Sequence, residues 1–109
     1  MRFVQFTDEA PDPPMGMRAA EVAANRVTDK ASLMDALAEA FGFPEWFGRN
    51  WDALRDALAD SDLNNGVAYL VIRGATELWR EHPRLAGTLV EVWLDAASER
   101  RRLQLVFEW

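Results

Sequence analysis

Apolar positions recur along the chain with two periods. In KASLMDALAEAF (residues 30–41) Leu33, Ala36, Leu37 and Ala40 fall on one stripe at spacings of three and four, the signature of a helix buried on one side. Asp29 precedes the run as an N-cap, and Gly42 with Pro44 ends it. WDALRDALA repeats the pattern: Asn50 predicts a cap, and Trp51, Leu54 and Leu58 share a face over a helix running to Ala59 or Asp60. A longer segment, RLAGTLVEVWLDAASER, sets Leu89, Trp93, Ala96 and Ala97 on one side and leads into three arginines suited to a helix C-terminus.

The second period is that of strands. VAYLVIR (67–73) is a near-continuous apolar run, as expected of a central parallel strand, and LQLVFE closes the chain as another. RFVQF has the valine and aromatics of a short strand, and TDEAPDPPMG after it reads as a turn-rich connector. RAAEVAANRV is Ala-rich like a helix yet short, and local signals leave it open. SDLNNG is a loop and TELWREHP a short helix or turn. Strands separated by helical segments of this length predict parallel pairing with right-handed crossovers, an α/β domain with few strands. At 109 residues, half of them hydrophobic, one domain with a sizeable core is expected.

Charge and composition narrow the partners. The net charge of −6 argues against DNA, RNA or anionic lipid, which need a basic footprint, and favours a basic protein partner. There is no cysteine, so neither a disulfide nor a thiolate metal site is expected, and a reducing cytoplasm would suit the chain. The first residues lack a basic leader with an apolar core, and no apolar run approaches a membrane span. The expectation is a soluble, unexported, cytoplasmic protein.

The candidate chemistry lies in FPEWFGRNWDALRDALAD (43–60). At about 100° per residue, Asp52, Asp56 and Asp60 span about 80° of the helix opposite the Trp51, Leu54 and Leu58 face, with no base of the segment set beside them. Like charges one turn apart oppose helix formation, and only Asp52, in the first turn, suits the dipole. A single aspartate would be a solvated surface residue; three in register ask for a reason. Glu91, Asp95 and Glu99 repeat the spacing in the longer helix, with Glu99 in reach of Arg102 or another arginine, which favours solvation there. Trp46 and Phe47 precede Gly48 on a loop, Trp46 assigned to the surface and Phe47 to the core.

This stretch resembles the signature of the barstar family, small intracellular protein inhibitors of barnase-like ribonucleases. The pattern is Pro44, Glu45, Trp46, Phe47, Gly48, Arg49, Asn50, Trp51, Asp52, Ala53 and Leu54, with Asp56 one turn beyond Asp52. The flanking helices and strands fall in the family's order over roughly residues 20 to 107. The resemblance implies a small two-layer domain over 18–109, a three-stranded parallel sheet packed against about four helices, its first strand at about Ala19–Ala23. Residues 1–17 would be an N-terminal extension, a possible edge strand plus a Pro-rich connector.

The resemblance further implies that the signature helix and its loop enter a ribonuclease active site. Asp56 would occupy the RNA phosphate site, Asp52 would meet a neighbouring arginine, and Asp95 would reach the same basic surface. Trp46 matches an aromatic that covers the catalytic histidine; Asn50, Trp51 and Ala59 match other contacts. Arg55 stands where the family pattern has a tryptophan of the binding surface, and Asp60 replaces a glycine at the helix end. With Glu99 these residues make up the expected partner surface, facing a basic secreted ribonuclease of the barnase type in a 1:1 complex, the free protein being a monomer.

On this reading no residue is catalytic, and no metal, cofactor, nucleic acid or membrane is required. One alternative is a module of the same fold that binds another basic protein or toxin. The other is a hydrolase using the carboxylates on a metal or as an acid and base pair, against which stand a single histidine, His82, and a convex helix.

Overall fold

The computed structural model describes residues 3–109. In chain order these form Val4–Thr7 (β1), Arg18–Ala23 (β2), a 3-10 turn over Ala24–Arg26, Lys30–Phe41 (α1) and Trp51–Ala59 (α2), then Val67–Arg73 (β3), Ala75–Glu81 (α3), Pro83–Glu99 (α4) and Gln104–Glu108 (β4). The sheet order is β1-β4-β3-β2, and every pairing is parallel.

The sheet has four strands, not the three that the resemblance implied. β1 lies along β4 in register from Val4 opposite Leu105 to Thr7 opposite Glu108. Its aromatic content explains the docking: Phe6 stacks on Phe107 at 5.2 Å between centroids and on Trp109 at 5.5 Å. Arg2 of the predicted RFVQF strand lies outside the described residues. RAAEVAANRV resolves as β2 followed by the 3-10 turn, because Ala20 and Val22 turn inward while Ala19, Glu21 and Ala23 stay exposed.

Strand alternation sorts the core. Ala20, Val22, Leu70, Ile72, Leu105 and Phe107 point into one apolar cluster with the inner faces of the helices. Tyr69, Val71 and Val106 point the other way, where Ala10 and Met17 of the connector pack over them. The connector is tied down: the Tyr69 hydroxyl donates to the Pro11 carbonyl at 2.6 Å, and the Ala10 N–H donates to Glu108 Oε2 at 2.7 Å. β3 is therefore apolar on both sides, which is why its sequence does not alternate.

Local signals place α1. Asp29 accepts the Ser32 N–H at 2.8 Å while the Ser32 hydroxyl accepts the Asp29 N–H at 3.0 Å, a reciprocal cap. The Ser32 N–H holds the Asp29 carboxyl below its ordinary value. Gly42 ends the helix at φ +71°, and a Cβ there would stand 2.8 Å from Asn65 Nδ2, which donates to the Phe41 and Gly42 carbonyls. α4 stops at Glu99, so the three arginines follow the helix and do not occupy its last turn.

Candidate binding surface

α2 is held from behind and from both ends. Leu54, Ala57 and Leu58 are buried, and Trp51 and Ala59 are half-buried against the same cluster. Asn50 Oδ1 accepts the Ala53 N–H at 2.8 Å, and Asn50 Nδ2 donates to the Gly48 carbonyl at 3.2 Å, so one residue caps the helix and fixes the loop before it. At the other end the buried Asn64 donates to the carbonyls of Ala57 and Leu58 at 3.0 and 2.9 Å. Arg100 donates to Leu58 and Val67 carbonyls at 3.2 and 2.9 Å, bringing a cation to the negative end of the helix. Asn64 was not singled out from sequence, and Arg100 was noted only as one of the three arginines at the end of the longer helix, not as a partner of α2. A polar NNG turn looks like any loop, and the arginine reaches α2 only because the chain folds back.

The loop 44–49 turns through a Phe47 N–H to Pro44 carbonyl bond of 2.9 Å. Phe47, 6% exposed, packs on Phe43 at 4.7 Å, and Phe43 on Phe41 at 5.2 Å. Arg49, at φ +51°, ion-pairs with Asp35 of α1. Trp46 is left 72% exposed, the surface position expected of it. Gly48 lets loop and helix approach, since a Cβ there would sit 3.2 Å from that of Ala53. Trp46, Gly48, Ala53, Asp56 and Leu63 line a groove of about 270 Å³ between them. An aromatic wall beside a carboxylate can receive a flat cationic side chain, through an ion pair and a cation–π contact.

Asp52 and Asp56 project from the exposed face of α2, and Asp52 has no ion pair among the described residues. Asp60 departs from the expected helical stripe: its backbone has left the helix at φ −106° and ψ 108°, and its Oδ1 accepts the Asp62 N–H at 2.9 Å. Nor are the acids without a neighbouring base. Arg55 Nε donates to Asp95 Oδ2 at 3.2 Å, its Nη1 donates to Glu99 Oε2 at 3.1 Å, and Asp56 Oδ1 lies 3.6 Å from the same Nη1. Glu99 thus pairs with Arg55 and not with Arg102. Glu99 and Asp95 raise the pKa of Arg55, each as an acceptor of its N–H groups. The helices α2 and α4, packed side by side, present one acidic face with a cation inside it.

His82 lies half-buried at the α3–α4 junction, beside a shallow depression of about 450 Å³ that also takes in Asp29 and Lys30. Among the described residues no three of His, Cys, Asp or Glu come close enough to hold a metal ion. No helix there is long and apolar enough to cross a membrane.

The family model described as Barstar (barnase inhibitor) matches residues 17–108. The chain belongs to the barstar family. The match takes in β2 to β4 and all four helices, and leaves β1 and most of the connector outside. The family is one of inhibitors rather than enzymes, directed at barnase-type ribonucleases. No curated protein matches the chain.

Proposed function

We propose that this barstar-family protein inhibits a small, basic, guanyl-preferring ribonuclease in the cytoplasm, as a monomer binding one enzyme. α2 and the Trp46 loop plug the active site. The observation that carries the reading is the pairing, on one rigid face, of the exposed Asp52 and Asp56 with the exposed Trp46 and its groove. An enzyme that binds RNA must present cations in a cleft, and carboxylates held in a fixed row replace the phosphates those cations await. Electrostatic steering, whose reference case is the barnase and barstar pair itself, then brings the two surfaces together.

In this complex Asp56 faces the enzyme's catalytic histidine and arginines, Asp52 a neighbouring arginine, and Trp46 covers the histidine. Asn50, Trp51, Arg55, Ala59, Asp60, Asp95 and Glu99 complete the surface. The test is ribonuclease inhibition by purified protein, with Asp56→Ala compared against Asp8→Ala and Asp12→Ala. Asp56→Ala is expected to weaken inhibition far more than the other two, and the association rate to fall steeply with salt. Equal effects from all three substitutions, or undiminished RNA digestion at micromolar protein, would refute the reading. A second reading, a module for another basic protein, draws on Arg55, whose charge departs from the family pattern; recovery of a non-nuclease partner from the cell extract would favour it.

A further inference from the structure

One guanidinium sits among three carboxylates on the surface just described. Arg55 keeps 28% of its side chain exposed and hydrogen-bonds to two of them, Asp95 and Glu99, across the gap between α2 and α4. Asp56 lies 3.6 Å from Nη1 without a hydrogen bond and is 73% exposed; Asp52 has no pairing partner among the described residues. We infer that Arg55 is the specificity-determining residue of this surface. It retains Asp95 and Glu99 in an internal bridge, so that Asp52 and Asp56 are the carboxylates offered to a partner. The ribonuclease that fits ranges its cations along α2 and reserves none for α4. The inference rests on the acidic face being the inhibitory surface.

The physical basis is a difference between two similar quantities. A carboxylate already paired with Arg55 must exchange or share that partner when an incoming cation arrives, and an exposed pair changes an equilibrium by a factor of at most about five. The exchange therefore nets close to nothing. Among the described residues Asp52 has no internal partner to give up, so its contact with an incoming cation counts in full. A cation brought to α4 also meets Arg55 as a like charge, which discriminates against enzymes that carry one there.

The experiment uses two probes, barnase and a hexa-arginine peptide, on the full chain. In the unaltered background Asp95→Asn and Glu99→Gln are each expected to change association with either probe less than about twofold, while Asp52→Asn slows it by about fivefold. Arg55→Gln is expected to speed association at low salt and steepen its salt dependence, and in that background Asp95→Asn regains an effect of about fivefold. Arg55→Lys, which keeps the charge but has one nitrogen where Arg55 uses Nε and Nη1 on two carboxylates, is expected to fall between the parent and Arg55→Gln. If Asp95→Asn is as damaging with Arg55 present as without it, or if Arg55→Gln slows association with both probes, the inference is overturned. Coupling seen with the peptide but no binding of barnase by any variant would sustain the role of Arg55 and count against the ribonuclease reading.

Discussion

Asp56→Ala separates the stability of the free protein from its binding. Within a helix, Asp to Ala gains up to about 0.7 kcal/mol of intrinsic propensity. The substitution also removes repulsion from Asp52 one turn earlier, about 0.2 to 0.5 kcal/mol. Against these stands the loss of the 3.6 Å contact to Arg55, an exposed pair without a hydrogen bond, at the low end of the roughly 0.2 to 1 kcal/mol such pairs contribute. Asp56 sits in the last turn of α2, where only part of the propensity gain is realised, so the net is a stabilisation of about 0.5 kcal/mol. For a domain of this size that raises Tm by about 2 to 4 °C. The assay is thermal unfolding followed by far-ultraviolet circular dichroism at neutral pH, in low salt and in about 0.5 M salt, where screening trims the charge contribution. A fall in Tm of about 3 °C or more would make Asp56 a structural residue and refute the reasoning, because such a fall requires a native contact that the structure does not contain.

Two further outcomes follow from the same contacts. Asn50→Ala removes the cap on Ala53 N–H and the tie to Gly48; it should lower stability by about 1 kcal/mol, and Asn50→Ser should recover most of that in a denaturant titration. Across the sheet, Arg73 donates to Glu21 at 2.5 Å and to Glu108 at 2.7 Å. The bond from Arg73 holds the Glu21 carboxyl below its ordinary value of 4.5; at Glu108 the Ala10 N–H does so first and Arg73 second. Depressed carboxylates stabilise the fold above about pH 4.5 and lose that contribution as pH falls through their native values. Unfolding midpoints measured from neutral pH down to about pH 3 should fall less steeply in Glu21→Gln/Glu108→Gln than in the parent; identical slopes would show that these groups are not the source.

The parts of the fold that local chemistry dictates were legible in the sequence. Asp29, Gly42 and Asn50 mark helix ends through their own side chains or backbone freedom, and each is found at the end expected of it. β2 was not readable from its own residues. Alanines on both faces give almost no alternation, and its extended form depends on pairing with β3 from Ala19 opposite Tyr69 to Ala23 opposite Arg73. α3, left open between helix and turn, forms a helix with Ala75 and Leu78 buried. On the candidate surface the aromatic loop and the acids of α2 were visible as a pattern, but the bridge through Arg55 was not. It joins residues forty and forty-four positions apart, and nothing short of the α2–α4 packing brings them together.

That packing also accounts for how so short and so acidic a helix forms at all. α2 has nine residues, below the roughly 12 to 15 at which isolated helices become even marginal, and two aspartates on its exposed face work against it. Every device that holds it lies elsewhere: Leu54, Ala57 and Leu58 on its inner face, Asn50 at its start, Asn64 and Arg100 at its end. Asp52 and Asp56 on the exposed face are therefore not needed for folding, and their positions are open to selection for charge. Arg55 belongs to both scaffold and face, since it bridges α2 to α4 and hydrogen-bonds Asp95 and Glu99 while its contact to Asp56, at 3.6 Å, has no hydrogen bond. If the acidic face is the inhibitory surface, altering Asp95 or Glu99 changes the partner while Leu54, Ala57 and Leu58 behind it stay as they are, because local conflicts confined to an exposed face leave the core consistent.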